Sequence, residues 1–251
     1  MTPQQHFDYL LRLADNALLL GQRLGEWCGH GPILEEDIAL ANIGLDLIGQ
    51  ARLLYTHAGE VEGRERDEDR LAMHRDCGEF RNFTLLELPN GDYANTIVRN
   101  FLFGAYELPL WQRLSASADA QLAAIAGKAV KESHYHLEHA RDWLVRLGDG
   151  TEESQARTQH ALEVLWPYTA EMFAPDAIED AVADAGVGIR SAEISPAFQR
   201  TVDEALREAT LALPATTKFV SAGKLGWHSE HLGYVLAEMQ FLQRSYPNQQ
   251  W

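Results

Sequence analysis

Apolar positions recur at helical spacing over most of the chain. Phe7, Leu10, Leu11, Ala14, Leu18 and Leu24 fall on one side of a first helix, from about Pro3 to Trp27. Gly29, Gly31 and Pro32 stop it. A second helix follows at once over Leu34–Tyr55 and ends near His57–Gly59. Its first turn holds Glu35, Glu36 and Asp37, where acids suit the positive end of a helix. So short a connection predicts an antiparallel pair. The second helix is apolar on nearly every side, through Ile38, Leu40, Ile43, Leu45, Leu47, Ile48 and Leu54. That pattern predicts a central, buried element. Asn42, Asp46 and Gln50 interrupt it at four-residue spacing and so share one face. A buried polar stripe needs partners, because a lone buried carboxylate costs several kcal/mol. Other helices must therefore meet it with polar groups.

The remaining elements follow in order. Glu60–Arg70 mixes charges of both signs and reads as a solvated loop leading into a short surface helix that ends by Phe80. Asp92 caps a helix over Tyr93–Leu114, with Pro109 expected to kink its last part. A long helix spans roughly Ala118–Leu147, closed by Gly148 and Gly150. Thr151 starts another, which Pro167 kinks or divides before Phe173. Ala174–Ile194 is acidic and broken by glycines, so a short helix and loop are expected there. Ser195–Leu213 is helical, Ala215–Trp227 irregular, Ser229–Arg244 the last helix, and Ser245–Trp251 a tail. There is no strand pattern, fixed-period repeat or low-complexity tract. The expectation is an all-α bundle forming a single domain over residues 1–251.

Charge narrows the partners. The 251 residues carry 37 acidic and 21 basic side chains, a formal charge of −16. Nucleic acid and anionic membranes need basic patches, so neither is expected as a partner. The two cysteines, Cys28 and Cys77, are far apart and form no C-x-x-C, which suits a reducing cytoplasm. The N-terminal stretch lacks the pattern of a signal peptide, and no unbroken apolar run is long enough to span a bilayer.

A helical bundle with inward polar groups suggests a carboxylate-bridged di-iron centre. That chemistry needs a Glu from each of two helices and Glu-x-x-His from each of two others. None of the ten histidines has a Glu three residues earlier. The residues at that offset are Pro3, Trp27, Leu54, Leu71, Lys131, Ser133, His136, Arg157, Leu225 and His228. The usual six-ligand site cannot be built from this set. Partial material exists in Lys131–His139, where Glu132 and His136 lie one turn apart. A second cluster, His228, Glu230 and His231, follows a glycine-bearing irregular segment and could order a helix start or an interface. Glu107 lies in an apolar helix and is a further candidate partner for the central stripe, as are Asp15, Gln22 and Glu26 on the first helix. No nucleophile elbow, P-loop or dinucleotide motif is present.

Four separated segments, Arg23–Arg52, Leu88–Asn100, Lys131–Leu137 and Gly226–Arg244, together resemble the structural, C-type subunits of multicomponent phenylacetyl-CoA epoxidases. The resemblance runs from the first helix to the C-terminal Gln-Gln-Trp. It implies a ferritin-like helical bundle whose di-iron site is degenerate. It also implies a hetero-oligomer with a paralogous di-iron catalytic subunit, which inserts one oxygen atom of O2 into the ring of phenylacetyl-CoA, and with further small and reductase subunits. Where the catalytic paralogue carries Glu-x-x-His on the second helix, this chain offers Asp46-x-x-Gly49 or Leu47-x-x-Gln50. On the fourth helix the tetrad is Ser133-His134-Tyr135-His136, with Ser133 in place of Glu.

The resulting expectation is a non-catalytic subunit that binds no metal or cofactor of its own and supports the catalytic one. Asn42, Asp46, Gln50, Glu107, Glu132, Ser133 and His136 would form a polar network at the vestigial centre. The competing reading is an autonomous metal-binding ferritin-like oxygenase.

Overall fold

The computed structural model describes residues 1–215, 218–247 and 249. In chain order the α-helices are α1 (Pro3–Gly25), α2 (Leu34–Glu62), α3 (Glu68–Met73), α4 (Thr84–Glu87), α5 (Tyr93–Leu114), α6 (Ala120–Gly148), α7 (Glu152–Leu165), α8 (Ala177–Asp184), α9 (Ser195–Glu208), α10 (Glu230–Met239) and α11 (Phe241–Ser245). No strand occurs among the described residues; a single antiparallel bridge pairs Ala222 with Trp227. The all-α expectation holds. The expected tail runs beyond the described residues at positions 248, 250 and 251, and the irregular segment loses 216 and 217 in the same way.

The chain forms two compact units, residues 1–89 with 221–251, and residues 90–220. In the first, α1 and α2 are the long antiparallel pair. They approach closely at two glycines: a Cβ on Gly21 would sit 3.2 Å from the Gly44 carbonyl oxygen and 3.0 Å from Ile48 Cδ1. Thr2 starts α1 with a capping box, and Gly63 ends α2 in the left-handed conformation at φ 68°. The C-terminal segment packs on this unit. Gly223 donates its N–H to Thr84 Oγ1 at 3.2 Å, and a Cβ there would collide with the Asn82 carbonyl oxygen.

In the second unit α5 and α6 are the long pair, with α7 and α9 against them. Asp92 and Thr151 cap α5 and α7 as predicted, each accepting from the backbone N–H three residues on. The α5 helix runs on through Pro109. Pro167 stands near the start of a 3-10 helix, Trp166–Phe173, so the α-helical ladder ends at the proline as expected.

Two features differ from the sequence pattern. The α2 helix is not buried all round: Leu34, Ile38 and Leu45 are exposed, Leu45 at 69 %. Only the Leu40, Ile43, Leu47, Gln50 and Leu54 side is enclosed. The last helix is not continuous. It breaks at Gln240, whose buried side chain donates from Nε2 to the Ala72 and Arg75 carbonyls, both at 3.0 Å.

Candidate functional site

The second unit contains one half of the expected polar centre. Along α6, Ala129, Ser133, His136 and Ala140 are buried and recur at helical spacing, so they share the inner face. Gly104 of α5 lets the two helices close up, since a Cβ there would already touch Leu137 Cα at 3.4 Å. One turn on, Glu107 is buried, and Ser133 Oγ donates to its Oε2 at 3.2 Å. Burial pushes the Glu107 carboxyl up to about 7, well above the usual glutamate range. The Trp111 indole and the Ser133 hydroxyl oppose this shift, and the Glu132 charge adds to it. Glu132 is half-buried and pairs with Lys128 Nζ at 3.2 Å. His136 is buried.

The first unit holds the other three predicted residues on α2. Their burial is graded: Asn42 is exposed, Asp46 half-buried and Gln50 buried. The stripe shares a face, as the spacing requires, but its N-terminal member faces solvent.

The His228 cluster is a structural anchor. Nδ1 of His228 lies 2.7 Å from Glu87 Oε2, and Nε2 lies 3.0 Å from the Phe80 carbonyl oxygen. Both ring nitrogens face acceptors, which an imidazolium satisfies and a neutral ring cannot. Burial pulls the His228 pKa down, but the Glu87 hydrogen bond and charge outweigh it, so the net shift is upward. Glu87 is fully buried and also accepts from Asn82 Nδ2 at 3.0 Å and from the Ser229 N–H at 2.5 Å. Glu230 is exposed and His231 half-buried; Ser229 caps α10 through the His231 N–H. The expected helix start is therefore carried by His228 and Ser229, with Glu87 as the partner that sequence spacing does not indicate. Glu87 stands in an apolar run (Leu85, Leu86, Leu88), and that setting is the one local signal of its burial.

The most buried charges form a group that periodicity does not reveal. Asp15 receives both guanidinium nitrogens of Arg75, Nη1 at 3.1 Å, together with the Tyr55 hydroxyl at 2.5 Å and the Arg81 N–H at 2.7 Å. Arg75 also lies over the Phe80 ring at 4.1 Å and donates to the Glu79 carbonyl at 2.9 Å. Asp15 thus serves this network and not the α2 stripe.

The profile of the phenylacetic acid catabolic protein family matches residues 1–251. The chain belongs to this family. The C-type subunit of the 1,2-phenylacetyl-CoA epoxidase of Escherichia coli (strain K12) is 50 % identical to it over 243 residues, covering 97 % of this chain and 98 % of that protein. The family is ferritin-like, in agreement with the all-helical architecture. Both compact units fall inside the matched region, so Glu107, Ser133 and the Asp15–Arg75 pair are all features of a phenylacetic acid catabolic protein.

Proposed function

We propose that this chain is the non-catalytic, structural subunit of a phenylacetyl-CoA epoxidase complex in aerobic phenylacetate degradation. Its partner is a paralogous subunit that holds the di-iron centre, joined by small and reductase subunits in the cytoplasm. The observation that carries this reading is Ser133. It occupies the position three residues before His136 where a ferritin-like di-iron protein needs a Glu, and its hydroxyl is bonded to Glu107. The donor set does not fit a di-iron centre. On α6 the Ser133 hydroxyl brings no charge, and Glu132 is paired with Lys128.

A subunit that works by association must offer a surface. Leu34, Ile38 and Leu45 form an exposed apolar strip along α2, of the kind that subunit interfaces cover. The relative is a subunit of a phenylacetyl-CoA epoxidase, and we assign the strip to the catalytic paralogue. No described helix is long and apolar enough to cross a membrane.

Co-expression with the catalytic paralogue, followed by metal analysis of each purified chain, tests the proposal. The expected result is a stable complex with iron confined to the paralogue. Two iron atoms bound per copy of this chain would overturn it in favour of an autonomous oxygenase. A chain that stays alone at micromolar concentration beside its paralogue would remove the partner assignment.

A further inference from the structure

The exposed apolar strip of α2 has a period. Leu34, Ile38, Ala41, Leu45, Ile48 and Arg52 follow one another in alternating steps of four and three residues, the heptad spacing of a helix that packs along a second helix. Leu34, Ile38 and Leu45 are exposed, and Ala41 and Ile48 half-buried. The enclosed side of α2, Leu40, Ile43, Leu47, Gln50 and Leu54, has the same alternation. The outer seam thus repeats, on a face open to solvent, the pattern that α2 uses where it is packed. At its C-terminal end the seam leads into a pocket of about 120 Å3. Leu18 of α1, Ile48, Ala51 and Tyr55 of α2, and Ala72 and Met73 of α3 enclose it. Arg52 and Glu68 pair across its rim at 3.2 Å, with Arg52 largely exposed. All of these residues belong to the first unit. Gly49 stands beside the seam, and a Cβ there would meet nothing within 4 Å, so a second backbone can come close. Glu35 and Asp37 flank the opposite end.

We propose that an amphipathic helix of the catalytic paralogue lies along this seam and inserts one apolar side chain into the pocket between α1, α2 and α3. The proposal rests on the reading of this chain as the structural subunit, and it names the part of the partner that is held. Heptad spacing selects a helix as the occupant, because residues so spaced form the holes that side chains of a neighbouring helix fill. The pocket selects the anchor. An apolar cavity of about 150 Å3 admits a benzene molecule, so this slightly smaller one suits a single side chain the size of leucine or methionine. A few such anchors in dry pockets carry most of the energy of an interface. Charge selects the other end. Where the partner helix passes Glu35 and Asp37, on a chain of formal charge −16, lysine or arginine is the complementary residue.

The test measures the affinity of the purified full-length chain for the purified catalytic paralogue by calorimetry. Ala72→Leu and Met73→Trp fill the pocket from within. Each should weaken association by roughly tenfold or more while circular dichroism and melting stay as in the native chain. Met73 is half-buried, so Met73→Trp keeps the test decisive if Ala72→Leu does not fold. Leu45→Asp, on the seam, should weaken association at least as much, and Leu53→Asp, exposed but off the seam, should stay within about twofold of native. Native affinity in the folded filled-pocket variants, with Leu45→Asp disruptive, would overturn the anchor and leave the subunit reading standing. Equal losses from Leu53→Asp and Leu45→Asp would overturn the seam. A paralogue that does not bind the native chain would overturn both the proposal and the reading beneath it.

Discussion

Arg75 grips both carboxylate oxygens of Asp15 inside the first unit, and both side chains are buried. Every oxygen of Asp15 has a partner, and the Arg75 guanidinium lies over the Tyr55 and Phe80 rings. Removing one member of such a pair strands the other, at a cost of about 3–5 kcal/mol. Asp15→Asn should therefore lower the urea midpoint of the isolated chain severely. Asp15→Asn combined with Arg75→Met should recover part of the loss, because the uncompensated charge is gone.

His228 makes stability depend on pH in a defined direction. Its folded-state pKa lies above the ordinary value of a free histidine. The stabilisation is therefore complete below about pH 6.5 and is lost as pH rises through the raised value. Urea melts between pH 6 and 9 should show this decline in the native chain. In His228→Gln the decline should be absent or much reduced.

Glu107 works over a different window. Burial favours its neutral form in the folded state, with a carboxyl near 7 against 4.5 for a free glutamate. Its contribution is thus complete below about pH 4.5 and falls as pH rises toward 7. Glu107→Gln mimics the neutral acid. It should match the native chain near pH 4.5 and exceed it above pH 7 by about 3 kcal/mol. Melting temperatures measured in parallel across that range give the comparison.

Asp46 separates a vestigial role from a catalytic one. Asp46→Asn should cost modest stability and leave turnover of the assembled complex largely unchanged. Loss of several orders of magnitude with normal assembly would instead mark Asp46 as a group acting on substrate.

The α2 strip tests the partner surface. Leu45→Asp, or Ile38→Asp, changes an exposed position and should leave the circular dichroism and melting of the isolated chain nearly as they are. Co-purification with the catalytic paralogue should be lost or sharply reduced. An intact complex in both variants would place the contact elsewhere.

Helix positions are legible in the sequence because periodicity and caps are local. Asp92, Thr151 and Pro167 act within a few residues of where they stand. The serine at position 133 is legible as a departure from a required pattern, and its bond to Glu107 joins two helices whose inner faces the spacing already defines. Long-range pairing is what escapes. Asp15 meets Arg75 across 60 positions and Glu87 meets His228 across 141, and no periodic rule connects such partners. The burial of α2 is overestimated from sequence for a related reason. An apolar residue such as Leu45 reads alike whether its neighbour is its own core or another protein. Asp15 is misplaced because a lone acid on a helix does not announce which cation it will meet.

The return of residues 221–251 to the first unit has a temporal consequence. Glu87 leaves the ribosome long before His228 and Ser229 exist, and Ala72 waits across 168 positions for Gln240. At roughly 5–20 residues per second, the interval for Glu87 is on the order of ten to thirty seconds. Through that time the nascent α1–α4 region carries an acid without its histidine and carbonyls without their glutamine donor. Native closure is therefore a late event, gated by synthesis itself, and a chain terminated before His228 remains unfinished however well its helices have formed.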